Sequence, residues 1–266
     1  MKNTLALAGG GHIAYEVIGE GPPLLLVSGL GGLASFWGEF AQRCARHFTV
    51  ITHDHRGTGA SSRCDRSYSI DSMADDVLAL MAHLGLECPL YAGHSTGGAI
   101  GQHLAARKGI AFSRLVLSAT FARPCSYFRR LFESRLQLLE VGGLAMYREH
   151  TALLLHPPYW LATHDLPDTA LAATPHPLDA EILRRRIAAV MAHDALDALN
   201  RVQCPTLVVA ARDDIVTPVY HSQQLADEIP DAELALLPRG GHYVPRTETD
   251  RYASVVLDFL RYGNSQ

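Results

Sequence analysis

The sequence predicts an α/β protein: a doubly wound, mostly parallel sheet with helices on both faces and a helical cap inserted between two strands. Three observations carry that prediction. Short apolar runs alternate with helix-patterned stretches near both ends of the chain, as in PLYAGHS (89–95) followed by TGGAIGQHLAARKG (96–109), and TLVVAARDD (206–214) followed by YHSQQLADEI (220–229). The runs are apolar at successive positions rather than at every second one, which suits strands covered on both faces. The middle of the chain, 122–201, is helical in pattern without a strand signal, which disfavours a closed eight-fold barrel.

Each element follows in order. PPLLLVSGLGG (22–32) holds a Leu/Val strand bounded by prolines and glycines, and HFTVITHD (47–54) holds a second, ending in the turn-rich HDHRGTGASS. A helix is expected over 70–85, because Met73, Val77, Leu80 and Leu84 recur at helical spacing. Asp71 suits the positive end of that helix, and Gly85 stands where a left-handed C′ residue belongs. After the strand and helix of 89–109, RLVLSAT (114–120) is a further strand. The inserted region then runs through RRLFESRLQLLEVGGLAMYREHTALLLHPPYWL, broken at Gly142-Gly143 and Pro157-Pro158, and through DAEILRRRIAAVMAHDALDAL (179–199). ELALLP (233–238) is the last strand, and a terminal helix covers 249–260. The chain therefore divides into a core, 1–121 with 202–266, and a cap, 122–201.

Bulk composition narrows the function. With 266 residues, 48% hydrophobic and 19% charged, the chain can bury a substantial core and is not of disordered type. A formal charge of −4 gives no basic surface for nucleic acid, and Arg129-Arg130 and Arg184-Arg185-Arg186 read as solvated helix faces. The five cysteines, Cys44, Cys64, Cys88, Cys125 and Cys204, are odd in number, scattered, and never paired as C-x-x-C. That argues against a disulfide framework or a zinc ribbon and favours reduced, mostly buried thiols. The start, MKNTLALAGGG, lacks the apolar stretch of a signal peptide, and no segment approaches the length of a membrane span, so a cytoplasmic protein is expected.

The candidate chemistry starts at YAGHSTGGAI (91–100). Ser95 sits between Gly93 and Gly97 where a strand gives way to a helix. On such a turn side chains at the two glycine positions would collide, and the serine hydroxyl is presented to solvent beside a helix N-terminus. A serine nucleophile also needs a base, an acid to orient the base, and N–H donors for the oxyanion. RGGHYV places His242 after the last strand, and ARDDIVTP places Asp213 and Asp214 at the end of the strand before. Asp214 is the preferred acid, with Asp213 as the alternative. Serine, acid, histidine is the chain order of one class of serine hydrolases. The two oxyanion donors are expected from the N–H of Thr96, which follows the serine, and from the SGLGG loop (28–32), at Leu30. His94 abuts Ser95 but is expected to point away from it, and His53 and His55 around Asp54 lack further ligands at metal-binding spacing. The set calls for no metal and no cofactor.

These motifs, SGLGG, DHRGTGASS, GHSTGG, ARDDIVTP and GGH in order, make the chain resemble α/β-hydrolase fold enzymes from about residue 11 to residue 260. Within that superfamily it is similar to 3-oxoadipate enol-lactone hydrolases and to the aminoacrylate hydrolases of pyrimidine breakdown, which have a comparable SGLGG loop and RGTG turn. RRLFESRLQLLEVGG and LLLHPPYW in the cap are similar to the latter group. Many of these relatives carry His-Gly in place of Ser28-Gly29 and Met in place of Thr96; both exchanges leave the backbone N–H in place. The resemblance favours Asp214, because the acid of this fold commonly precedes a proline by four residues, as Asp214 precedes Pro218.

The expected reaction is hydrolysis of a small carboxylic ester, enol-lactone or related carbonyl compound through an acyl-enzyme. The same triad also serves cofactor-free haloperoxidases and carbon–carbon bond hydrolases, and some proteins of this fold are ligand receptors. The cap offers Phe128, Phe132, Leu136, Met146, Tyr147, Tyr159 and Trp160 for an apolar pocket, of which Phe128, Phe132, Tyr159 and Trp160 are the chosen substrate contacts. Arg123, Arg129 or Arg130 would suit a substrate carboxylate. A small-molecule substrate is expected, with neither nucleic acid nor membrane as partner.

Overall fold

Eight strands form one sheet in a computed structural model that describes residues 2–63, 68–107, 109–165 and 179–262. In chain order they are β1 (Asn3–Ala6), β2 (His12–Ile18), β3 (Pro23–Val27), β4 (Thr49–His53), β5 (Leu90–His94), β6 (Arg114–Ser118), β7 (Thr206–Ala211) and β8 (Ala232–Leu237). Their spatial order is β1-β2-β4-β3-β5-β6-β7-β8. From β4 to β8 all neighbours are parallel; β1 and β2 are antiparallel to their neighbours. The core helices are α1 (Gly38–Cys44), α2 (Ile70–His83) and α3 (Thr96–Ala105), with α4 (Ser126–Leu155), α5 (Pro158–Leu161) and α6 (Ala180–Met191) in the inserted region. Beyond it lie α7 (Val219–Glu228), α8 (Val244–Thr247) and α9 (Thr249–Tyr262).

The apolar runs are continuous because successive side chains serve opposite faces. Leu25, Val27, Ile51, Tyr91, Leu115 and Val208 enter one layer, beneath α2 and α3. Leu24, Leu26, Val50, Ala92, Val116 and Leu207 enter the other, packed against Trp37, Phe40, Tyr252 and Phe259. The sequence reading passes over β1, β2 and α1. The β1–β2 hairpin lies at the sheet edge, where β1 is largely exposed and β2 exposes Val17, so neither presents an unbroken apolar run. The expected helix over 96–109 ends at Ala105. α2 opens with a reciprocal cap, the Ser69 hydroxyl accepting from the Ser72 N–H at 3.0 Å and the Ser72 hydroxyl from the Ser69 N–H at 2.9 Å.

The first layer continues upward into the inserted helices. Phe128, Phe132, Leu139, Tyr147, Leu183 and Ile187 join the same apolar cluster as Leu25 and Val27. α4 is kinked at Gly143, whose φ of 64° and ψ of −163° interrupt the helix. Two expectations need correction here. Of the cysteines, Cys44 is buried, but Cys88 is exposed and Cys125 and Cys204 are half-buried; Cys64 lies outside the described residues. Arg184 and Arg185 are surface residues paired with Glu181, whereas Arg186 is fully buried. Three consecutive residues on a helix point 100° apart, so they cannot share one solvated face. No helix among the described residues is long and apolar enough to cross a membrane.

Candidate active site

Parallel strands deliver their C-terminal ends to one edge of the sheet, and the candidate residues collect there. Register places Gly93 of β5 between Val27 of β3 and Leu117 of β6, so Ser95 emerges just beyond the centre of that edge. Ser95 has φ 53° and ψ −115°, a left-handed conformation that costs a non-glycine residue energy. The turn is tight enough that a side chain at Gly93 would strike the backbone of Gly97, and one at Gly97 would strike Val27 and Ser28. The strain is held by the Ser95 N–H donating to Ser118 O at 2.8 Å and by the Thr120 hydroxyl donating to Ser95 O at 2.7 Å.

The loop after β8 brings His242 to this turn, its Nε2 3.0 Å from Ser95 Oγ. On the other side His242 Nδ1 lies 2.9 Å from Asp214 Oδ2. Asp214 is buried, and the rest of its carboxylate is occupied. Oδ1 accepts the N–H groups of Val216 (2.8 Å) and Thr217 (2.9 Å), and Oδ2 accepts the Thr217 hydroxyl (2.8 Å). A carboxylate so surrounded by donors is an acceptor toward His242, which puts the neutral ring's proton on Nδ1 and leaves the Nε2 lone pair facing the Ser95 hydroxyl. Asp213 is turned elsewhere: its Oδ1 accepts the Gly241 N–H at 2.8 Å and braces the histidine loop.

The neighbouring histidines differ from His242. His94 is fully buried, stacks on Phe36 at 4.7 Å and contacts Ser118 Oγ through Nδ1 at 3.2 Å. Burial, then the charge of His242, push its pKa well below the usual histidine range. His53 and His55 stack on each other at 4.9 Å, and burial likewise holds His53 down, to about 4. Between them Asp54 binds loops together, accepting the N–H groups of Ala34 and Ala60 at 2.9 Å each and Lys2 Nζ at 2.6 Å. Among the described residues no group of His, Cys, Asp and Glu has the geometry to hold a metal ion.

Leu30 lines the space above Ser95, and Thr96 is buried as the first residue of α3. Among the described residues neither N–H is engaged in a hydrogen bond. For Thr96 this follows from its place in the first helical turn, whose N–H groups have no acceptor within the helix.

A cavity of about 420 Å³ opens over these groups, roofed by α4, α5 and α6. Phe132 and Trp160 line it as expected from their sequence positions. Two other expected contacts do not. Phe128 packs below the wall, between Phe121 (4.3 Å) and Phe132 (4.4 Å), and Tyr159 faces outward under the Arg239 guanidinium. The arginines expected to meet a substrate are also elsewhere: Arg123 pairs with Asp194 at 2.7 Å on the surface, and Arg129 donates to Met191 O. Arg135, Arg148 and Arg246 line the cavity instead.

Arg135 is the most constrained of the three. It is buried between the rings of Phe132 (4.8 Å) and Tyr147 (5.0 Å), and its Nη2 donates to the Tyr147 hydroxyl (2.5 Å) and to Thr151 Oγ1 (3.2 Å). Its Nε has no partner among the described residues. The signal was present in the sequence: Phe128, Phe132, Arg135 and Leu139 form one buried helical stripe with a cation inside it.

A model of the alpha/beta hydrolase family matches residues 24–255, which hold the parallel strands β3 to β8 together with the inserted helices. The chain belongs to the alpha/beta hydrolase family. It is an enzyme, a hydrolase. Two relatives, from Agrobacterium fabrum and Variovorax paradoxus, bear the name "Putative carbamate hydrolase RutD" and are 36% and 38% identical. Each alignment covers 92% of this chain, with 97% and 95% of the respective relative. Among solved structures, a hydrolase from Pseudomonas aeruginosa PA01 superposes with a TM-score of 0.88 at 28% identity, over 98% of both chains. The enol-lactonase from Burkholderia xenovorans LB400 also superposes at 0.88, over 97% of this chain and 99% of its own, and at 24% identity that is a likeness of fold.

Proposed function

We propose that this hydrolase is a serine enzyme that cleaves a small carboxylic ester, enol-lactone or related carbonyl compound through an acyl-enzyme on Ser95. The observation that carries the reading is the unbroken chain from Ser95 Oγ to His242 Nε2 (3.0 Å) and from His242 Nδ1 to Asp214 Oδ2 (2.9 Å), ending at a serine held on a strained turn. In this reading His242 takes the hydroxyl proton as Ser95 Oγ bonds to the carbonyl carbon, and Asp214 stabilises the imidazolium that forms. The Leu30 and Thr96 N–H groups meet the oxyanion. The proton then passes from His242 to the leaving group. A water, deprotonated by the same histidine, attacks the ester of Ser95 and releases the acid. In this reading the described residues of 1–121 and 202–266 make up the hydrolase core, and those of 122–201 the cap that roofs the substrate cavity.

The cap wall supports a substrate that carries an anionic group. A guanidinium buried as Arg135 is, with no ion pair to a carboxylate among the described residues, is energetically costly, and a bound carboxylate would relieve that cost. The name shared by the two relatives widens the carbonyl class to carbamates, which the same attack would cleave. Ser95→Ala tests the reading. Its expected effect is a loss of p-nitrophenyl ester turnover of about 10⁴-fold or more, with an unchanged circular dichroism spectrum and melting temperature. Activity near that of the unaltered enzyme in a folded S95A protein would refute it.

A further inference from the structure

The second arginine in an apolar stripe, Arg186, reaches from the cap into the core. On α6 it lies among Ile182, Leu183, Ile187 and Val190, all buried, and it is itself fully buried. Its Nε donates to Leu30 O at 2.8 Å and its Nη2 to His55 Nδ1 at 3.0 Å, while Nη1 has no partner among the described residues. The carboxylate that influences it through space, Asp76, is bonded to Arg56. A buried cation held by one carbonyl and one imidazole, with no ion pair to a carboxylate among the described residues, adds little to stability. Both of its bonds go to the bracket around the loop that lines the cavity above Ser95.

We propose that Arg186 is a positioning residue for hydrolysis: by bonding the Leu30 carbonyl and the His55 ring together, it fixes the Leu30–Gly31 peptide at the centre of the Gly29–Gly32 turn, holds that turn in the form that aims the Leu30 N–H at the developing oxyanion, and so ties the cap to the chemical step. Two other carbonyls of the loop are held from within the core. Gly29 O accepts the Gly32 N–H at 2.9 Å, and in a trans peptide the N–H of Leu30 then points the opposite way. Gly32 O accepts the His55 N–H at 2.7 Å and the Thr58 hydroxyl at 2.9 Å. Arg186 bonds the carbonyl between these two and the ring of the residue that holds Gly32, so it spans both sides of the bracket. No other cap side chain is hydrogen-bonded to this loop among the described residues. Burial, then the Arg186 charge, keep the His55 ring neutral and able to accept. A pre-aimed donor acts on the transition state, where the oxygen carries charge, more than on the bound substrate.

The inference rests on the Ser95 reading, and Arg186→Met, Arg186→Gln and Arg186→Lys are therefore measured beside Ser95→Ala, on a p-nitrophenyl ester and with an alkylboronic acid that mimics the tetrahedral intermediate. R186M and R186Q are expected to lower kcat by about 10–100-fold with KM nearly unchanged, and to weaken boronic acid binding by the same factor. R186K, which retains a donor for Leu30 O, should recover most of the loss. The midpoint of the pH–rate profile should not move, because the Ser95–His242–Asp214 chain is untouched. A kcat within twofold of the unaltered enzyme in folded R186M or R186Q would overturn the inference, as would a KM rise that accounts for the whole loss while boronic acid affinity stays constant. Failure of both neutral variants to fold would assign Arg186 a folding role and overturn the positioning one. Turnover surviving in S95A would instead overturn the reading beneath it, whereas an inactive S95A with an undiminished R186M overturns this inference alone.

Discussion

The two walls of the cavity are built on different physical principles. The sheet-side wall consists of groups at the ends of parallel strands, each aimed by backbone hydrogen bonds: Ser95 by Ser118 O, Asp214 by the Val216 and Thr217 N–H groups, and the histidine loop by Asp213. The cap-side wall consists of side chains on helices, Phe132, Arg135, Tyr147 and Trp160, aimed by packing and by one another. A wall fixed by backbone serves a step common to many substrates, while a wall of side chains can change without disturbing it. The comparison predicts that damage to the sheet side lowers turnover of every substrate, and that damage to the cap side sorts substrates from one another.

The larger expected effect is on the sheet side. Asp214→Asn keeps the shape but reverses the hydrogen-bonding preference of the oxygen that faces His242 Nδ1. It should reduce kcat by about 10³–10⁴-fold, equally for neutral and anionic esters, in steady-state assays of the folded variant. A loss confined to anionic substrates would erase the distinction between the walls. A smaller and selective effect is expected on the cap side. Arg135→Gln should lower kcat/KM for a carboxylate-bearing ester by about 10–100-fold and leave an uncharged ester of the same size within about threefold of the unaltered enzyme. Equal losses for both esters would show that Arg135 holds the cap together rather than reading charge.

The same division decided how much was legible in the sequence. Ser95, Asp214 and His242 announce themselves because strand ends, glycine spacing and chain order are local patterns, and parallel topology then brings distant strand ends to one edge. The cap wall has no such rule. Phe128 and Phe132 are one helical turn apart and equally apolar, yet only Phe132 reaches the cavity, since Phe128 is filled against Phe121. Tyr159 and Trp160 are adjacent and face opposite ways, one under Arg239 and the other stacked on His156. The sequence reading passes over Arg135 and takes Arg186 for a solvated residue for one correctable reason. Arg135 and Arg186 each interrupt an apolar helical stripe, whereas Arg129 and Arg184 lie off those stripes and Arg123 precedes α4. Register within a stripe, rather than clustering along the chain, separates a buried guanidinium from a solvated one. The β1–β2 hairpin escaped notice because edge strands exposed on one side lack the continuous apolar run that marks their neighbours.

The central claim is that Ser95 is the atom's-length centre of the chemistry, and the most direct measurement is the site of covalent capture. The enzyme treated with a fluorophosphonate, digested and mapped by mass spectrometry should carry one adduct per chain, on the peptide containing Ser95, with activity lost in proportion to labelling. Full turnover by a chain labelled at Ser95, or inactivation by an adduct on any other residue, would contradict the account.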